Sequence, residues 1–269
     1  MTNITERIRQ AVSPTLQGVL REAGNLADEM GFSAYVVGGM VRDLLLELQT
    51  IDVDIVVEGQ GIHFARSLAD RLHAKVRCHE RFGTATLSLP DRLRVDIATA
   101  RTEFYECPAA LPRVSPGSIR DDMVRRDFTI NALAASLMPA EFGRLLDDFG
   151  GLRDLREAHI RALHERSFID DPTRIFRAVR FEKRLDFRIV RSTEQWIVEA
   201  LSRSLLEELE DYRIATELRL ILEEPDPAGP LRRLSELGII DRLKRRPARE
   251  KILEKQMKKA EQILQREGP

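Results

Sequence analysis

The sequence predicts an α+β protein in which a mixed or antiparallel sheet with flanking helices is followed by an all-helical region. Three observations carry this reading. Short apolar runs rich in β-branched residues concentrate between residues 34 and 99. Helical spacing takes over from residue 119, and a Pro-, Ser- and Gly-rich stretch at 106–118 separates the two regimes. A soft boundary near 165 gives two domains, 1–164 and 165–269.

The elements follow in order. Residues 1–31 read as one or two amphipathic helices, broken near Ser13-Pro14 and ending at Gly31. AYVV at 34–37 is a strand running into Gly38-Gly39, and a helix follows over about 40–48. TIDVDIVV at 50–57 is the next strand, and residues 62–74 form a helix with apolar positions at Ile62, Ala65, Leu68, Ala69 and Leu72. Short strands are expected at 75–79, 84–89 and 93–99, then a loop at 106–118. Beyond 119 the pattern is helical, apart from a β-like stretch near 144–148. The last segment, about 249–266, is a charged helix with apolar spacing at Ile252, Met257, Ala260, Ile263 and Leu264.

Composition narrows the class. With 269 residues, 43% hydrophobic and 32% charged, the chain suits a soluble globular protein with a substantial core. The net charge of −1 hides an asymmetry: only Lys75 and Lys183 precede residue 244, and five lysines then crowd into 244–259. That terminal cluster is either a solvated helix face or a basic arm. The remaining basic charge is arginine, which suits phosphate and base-edge recognition but also follows from a GC-rich genome. Cys78 and Cys107 make no disulfide framework or metal-type spacing, and no apolar stretch reaches 18 residues, so a cytoplasmic, non-membrane setting is expected.

The chemistry-bearing residues begin with Asp52 and Asp54. In a strand, i and i+2 share a face, so these carboxylates project together while Val53 and Ile55 point to the core. Neighbouring carboxylates repel unless a cation neutralises them, and Mg²⁺ takes such hard oxygen ligands. The alternative is that Asp52 caps the strand and Asp54 merely faces solvent. Asp96, in RVDIATAR, lies on another expected strand; if the two strands are neighbours, three carboxylates converge as a two-metal phosphoryl-transfer site requires. Just upstream, VVGGMVRDLLL ends a strand in two glycines and starts a helix at once. Such a turn lets the backbone approach a phosphate, and Arg42 adds a cation. Its spacing fits neither the dinucleotide GxGxxG nor the P-loop pattern.

GGMVRD followed by DVD resembles the class II tRNA nucleotidyltransferases and bacterial poly(A) polymerases of the DNA polymerase beta superfamily. The likeness continues through RRDFTINAL (125–133), DDFGGLRDL (147–155), DDPTRIFRAVRF (170–181) and, less closely, YRIATEL (212–218), covering roughly residues 30–220. It implies a nucleotidyltransferase head followed by a helical neck and body. It further implies that Asp52 and Asp54, with Asp96 as third carboxylate, hold the catalytic Mg²⁺ ions. Gly38, Gly39 and Arg42 then hold the triphosphate, Arg126 contacts phosphates, and Asp127 and Asn131 address the ribose. A local helix start, capped by Asp127, fits the same residues.

In DDPTRIFRAVRF, Asp171, Arg174, Arg177 and Arg180 recur every third residue, so each is expected beside the next on a helix. The arginines are either a snorkelling surface or base readers. A carboxylate accepts from the exocyclic amine of cytosine or adenine, and an arginine donates to the adjacent ring nitrogen, so an Asp171–Arg174 pair selects CTP and ATP over UTP and GTP. The resemblance implies this protein-templated choice, a hinge at Asp147, Gly151 and Asp154, and support of the base pocket by YRIATEL, where Tyr212 replaces an expected acidic residue and Glu217 carries the assignment. HERFGTATL (79–87) resembles the flexible loop of the family, with Arg81 a candidate phosphate contact.

The implied partner is RNA, most of all the tRNA 3′ acceptor end, and the implied activity is template-independent addition of C and/or A: CCA, CC or A alone. The alternatives are poly(A) polymerase, with the same chemistry, and a non-catalytic RNA-binding module of the same fold. Family members carry longer helical regions that grip RNA. The wording of DDPTRIFRAVRF most resembles members in which this module is the C-terminal part of a longer chain, so the grip is expected elsewhere; a minimal enzyme is the alternative.

Overall fold

The computed structural model describes residues 2–49, 53–90, 93–246 and 250–267. It divides into two compact units, Met1–Phe104 with Arg113–Leu155 and Tyr105–Pro112 with Arg156–Pro269. The changeover at 155/156 comes earlier than the boundary expected near 165. The reason is a short parallel pairing, His159 with Arg188 and Ile160 with Ile189, which ties residues 156–164 to the helical unit.

In the first unit, α1 (Thr5–Ala11) and α2 (Pro14–Glu29) are separated where expected. Ser13 accepts from the Leu16 N–H and Pro14 occupies the first turn, a standard helix start. β1 (Ser33–Val37), α3 (Gly39–Leu45), β2 (Val53–Glu58), α4 (Gly61–Arg71), β3 (Lys75–His79), β4 (Thr84–Ser88) and β5 (Arg94–Thr99) follow the expected order. The expected positions 50–52, Asp52 among them, lie outside the described residues.

Several elements differ from expectation. Residues 106–118 contain β7 (Arg113–Pro116), an antiparallel partner of β6 (Arg101–Phe104). All four β7 residues are exposed and the strand ends in proline, so it carries no alternating pattern. After α5 (Ile119–Val124), a segment expected to be helical forms β8 (Ala134–Ser136), while β9 (Leu145–Leu146) falls in the β-like stretch expected near 144–148. Alanine favours helices, but here full burial beside β1 overrides that preference.

The sheet order is β3-β4-β5-β2-β1-β8-β9. β2 and β5 are parallel, while the other neighbours are antiparallel. β2 shows why its carboxylates are tolerated: Val53, Ile55 and Val57 are buried with Val95 and Ile97 of β5, while Asp54 is exposed on the opposite face. Helix α4 packs against β2, β4 and β5 and buries Phe64, Ala65, Leu68 and Ala69. This core makes the carboxylate-bearing strands rigid.

The second unit is helical apart from the pairing of β10 (His159–Ile160) with β11 (Arg188–Ile189). Between the units in sequence stands α6 (Gly151–Arg156). The remaining helices are α7 (Ser167–Asp170), α8 (Arg174–Arg184), α9 (Arg191–Ser202), α10 (Asp211–Leu222), α11 (Ala228–Glu236), α12 (Ile239–Arg245) and α13 (Lys251–Glu267). α13 packs on α10 and α11 through Leu253, Gln256, Met257 and Ala260; Ile252, expected on that face, is exposed. Lys251, Lys255, Lys258 and Lys259 point to solvent. No described helix is long and apolar enough to cross a membrane.

Candidate active site

The first cluster lies on the open face of the sheet. β2 and β5 pair in parallel with Asp54 opposite Asp96, and β4 pairs with β5 so that Thr86 stands opposite Asp96. Register partners project to the same face, so Thr86, Asp96 and Asp54 form one row across three strands about 4.8 Å apart. Asp54 is exposed and the Asp96 side chain is 43% exposed, so neither carboxylate is shut off from a ligand. Two carboxylates fixed side by side, with no requirement for burial, are the hard oxygen donor set that suits a divalent cation.

Beside this row lies the glycine turn. Gly38 has φ +63°, a conformation that favours glycine, and its N–H bonds the Leu133 carbonyl at 3.0 Å. A Cβ at Gly38 would stand 2.6 Å from Nη1 of Arg126, so glycine is required for the guanidinium to lie against the turn. Arg126 is tied to Asp122 at 2.9 Å, and its Nε has no hydrogen-bond partner among the described residues. α3 is only seven residues long, so the cation at the turn, rather than a long helix dipole, is the main anion-attracting feature.

Arg42, expected to add a cation at the glycine turn, stands in a hydrogen-bonded network. It is buried, donating from Nε to Asp43 at 2.8 Å and from Nη1 to Asn131 Oδ1 at 2.7 Å. Asn131 in turn donates to Asp127 at 3.0 Å, and Asp127 accepts from the Phe128 N–H at 2.8 Å. The two ribose candidates and Arg42 are thus one hydrogen-bonded chain. RRDFTINAL is not a helix start but a loop with a 3₁₀ turn at Thr129–Asn131, pinned by the Asp127 carboxylate.

The hinge candidates serve local anchoring. Asp147 accepts from Gly151 and Leu152 N–H groups and caps α6. A Cβ at Gly151 would collide with the Thr129 carbonyl at 2.4 Å, and buried Asp154 accepts from the Thr129 hydroxyl at 2.6 Å. The Arg81 side chain lies outside the described residues.

The second cluster belongs to the helical unit. Asp171 is not on α8, as its spacing implied, but is extended at the end of α7, because Pro172 interrupts the helix. Three hydrogen bonds hold it through one oxygen, Oδ1: from Thr173 N–H at 3.0 Å, the Thr173 hydroxyl at 2.5 Å and Arg213 Nη2 at 2.7 Å. Arg174 opens α8, is buried, and donates to Ser167 at 3.3 Å. Arg177 and Arg180 lie over the Phe181 ring at 5.5 and 5.0 Å. Arg180 also pairs with Glu224 at 3.2 Å and lines a cleft of about 490 Å³ with Lys183, Arg184, Glu223 and Asp226, a lining that does not include Asp171 or Arg174. Burial, then its neighbour Arg177, pushes the Arg180 guanidinium below its ordinary value.

Residues 34–161 match the family model described as the poly A polymerase head domain. An A-adding tRNA nucleotidyltransferase of Geobacter sulfurreducens is 48% identical over 232 residues, 86% of this chain and 26% of that protein. The chain belongs to the tRNA nucleotidyltransferase and poly(A) polymerase family. Among solved relatives, an apo form of a CCA-adding enzyme superposes with a TM-score of 0.86 at 45% identity, over 90% of this chain and 57% of the other. The Thermotoga maritima CCA-adding enzyme complexed with tRNA gives 0.81 at 43% identity, over 90% and 55%. The chain therefore spans about a quarter of the Geobacter protein and little more than half of the two solved enzymes.

Three residues of this family member escaped the sequence reading. Asp122 is fully buried and holds both Arg125, at 2.5 Å, and Arg126; its spacing of i+3 and i+4 to that pair was the available signal. Arg213 holds Asp171 and also donates to the Ala109 carbonyl at 2.7 Å, a pairing across 104 residues that no local pattern encodes. Thr86 bonds Asp96, which only the sheet register reveals.

Proposed function

We propose that the chain transfers nucleoside monophosphate units from ATP and/or CTP to the 3′ end of an RNA, foremost a tRNA, without a nucleic-acid template. The observation that carries this reading is the alignment of Asp54 and Asp96 at one register position of parallel strands, beside a glycine turn that accommodates Arg126. Mg²⁺ fits the donor set, and Asp54 and Asp96, with Asp52 of the same DxD, are the residues that would hold it; bound there, it supplies Lewis-acid activation of the attacking hydroxyl and stabilises charge on the leaving phosphate.

The protein's own groups do the rest. Arg126 attracts the triphosphate to the glycine turn of Gly38 and Gly39, and Asp122 keeps its guanidinium in place. Arg42 acts on the nucleotide through Asn131, orienting the amide that, with Asp127, addresses the ribose hydroxyls. For the base, Asp171 offers a carboxylate already fixed through Oδ1, and Arg174 offers guanidinium donors, a pattern matched by cytosine and adenine and mismatched by uracil and guanine. Arg177 and Arg180 remain candidates for nucleotide contacts, with Arg180 the more committed to its pair with Glu224.

The A-adding Geobacter relative and the tRNA-bound CCA-adding enzyme support a tRNA acceptor end as substrate. The test offers RNAs ending before, within and after the CC of an acceptor end, with ATP, CTP or both, and Mg²⁺. A single A on CC ends identifies an A-adding enzyme, addition that stops at CCA a CCA-adding one, and C alone a CC-adding one. Long A tails on non-tRNA primers favour poly(A) polymerase. No incorporation on any RNA, with a folded protein, overturns the catalytic reading.

A further inference from the structure

Asp96 is held by more than its own strand. The Thr86 hydroxyl donates to Asp96 Oδ1 at 2.5 Å across the antiparallel β4–β5 register. Arg94, two residues earlier on the same face of β5, donates to Oδ1 from Nε at 3.3 Å and from Nη2 at 3.2 Å, and Nη2 lies 3.1 Å from Oδ2. These two partners differ in kind. Thr86 makes one short bond from a rigid strand interior. Arg94 makes three long contacts from a side chain that is 68% exposed.

We propose that Thr86 is a positioning residue for Asp96, and that Arg94 is a built-in counter-ion that yields this carboxylate when a divalent cation binds. The inference rests on Asp54 and Asp96 being metal ligands. The short hydroxyl bond anchors Oδ1 and leaves Oδ2 as the oxygen freer to change partner. Arg94 covers that oxygen and offsets the repulsion that Asp54, on the neighbouring strand, imposes on Asp96. A doubly charged ion shared by both carboxylates displaces a solvent-exposed guanidinium, whose pairing is weak. The two side chains therefore have opposite effects on cation affinity, which a purely structural contribution from either would not produce.

The experiment titrates the nucleotide-free chain with Mn²⁺ and reads free Mn²⁺ by electron paramagnetic resonance. Thr86→Val removes the hydroxyl and should weaken Mn²⁺ binding about 10-fold, the lower end for losing an outer hydrogen-bond partner of a metal ligand; Thr86→Ser should restore it. Arg94→Gln should tighten binding about 2- to 5-fold, with thermal stability unchanged because the pair is exposed. Asp96→Asn separates the two levels of the argument. If Asp96→Asn binds Mn²⁺ as the parent does, Asp96 is not a ligand, and both that reading and this inference fall. If Asp96→Asn loses affinity but Arg94→Gln weakens binding, or Thr86→Val leaves it unchanged, the metal reading stands and the inference is overturned.

Discussion

Asp54 and Asp96 occupy the same register position on adjacent parallel strands, with their carboxylates on the solvent face and Val53, Ile55, Val95 and Ile97 buried behind them. Like charges placed side by side repel, a cost that Arg94 offsets at Asp96. Replacing Asp54 with Asn should therefore leave the thermal midpoint unchanged or slightly higher, while nucleotide addition falls by about 10²–10³-fold or more. Calorimetry and single-turnover incorporation on the same preparation check both halves. A variant that loses stability and activity together would indicate that Asp54 is part of the scaffold.

Asp122 presents the opposite balance. It is fully buried and accepts from Arg125 and Arg126, while Arg125 also reaches Glu103 at 3.0 Å. Replacing it with Asn removes the ion pair of Arg126 and one of the ion pairs of Arg125 in a mostly buried setting, which costs about 3 kcal/mol. Freed from Asp122, Arg126 also loses its place beside Gly38, so KM for the nucleotide should rise more than kcat falls. Urea unfolding together with steady-state kinetics distinguishes this from Arg125→Gln, which should destabilise the protein with a smaller change in KM.

The parts that were legible in the sequence are those whose cause is local. The strand order from β1 to β5, the break at Ser13-Pro14 and the outward face of Asp54 between buried Val53 and Ile55 follow from spacing and turn chemistry alone. β8 was not legible, because Ala134, Ala135 and Ser136 carry no strand signal and only their seat between β1 and β9 makes them one. Asp171 was read onto a helix because a three-residue repeat continues through it, although Pro172 places it before the helix. The chemistry at Arg42 was half legible: a cation at that position was evident, but its use as a buried tie to Asn131 depends on a partner 89 residues away. Residue type was readable throughout, whereas partnership was readable only within a turn or two.

Arg213 provides such a distant partnership, and with Asp171 as the proposed base reader it bears on nucleotide choice. Its two Nη groups divide between the Ala109 carbonyl and Asp171 Oδ1, each at 2.7 Å. Lysine keeps the charge but has a single ammonium in place of the planar fork, so Arg213→Lys cannot hold both partners in this geometry. The expected result is a roughly 10-fold loss of discrimination between ATP or CTP and UTP or GTP, measured as the ratio of kcat/KM values, with catalysis on the best nucleotide much less affected. Unchanged discrimination would show that Thr173 alone suffices to fix Asp171.

His164 links the helical unit to pH. Burial, and then the nearby Arg174 charge, push its imidazole below the ordinary value of 6.5, outweighing the opposing pull of Asp170. A base whose folded pKa is depressed binds fewer protons than its unfolded counterpart between the two values, so stability rises with pH there. The contribution is complete above about pH 6.5 and is lost as pH falls from there toward the depressed folded value. Thermal midpoints measured between pH 7.5 and 5 should decline, and His164→Gln, which cannot titrate, should flatten that decline without moving the midpoint's dependence above pH 7. An equally steep decline in the variant would assign the pH sensitivity to other groups.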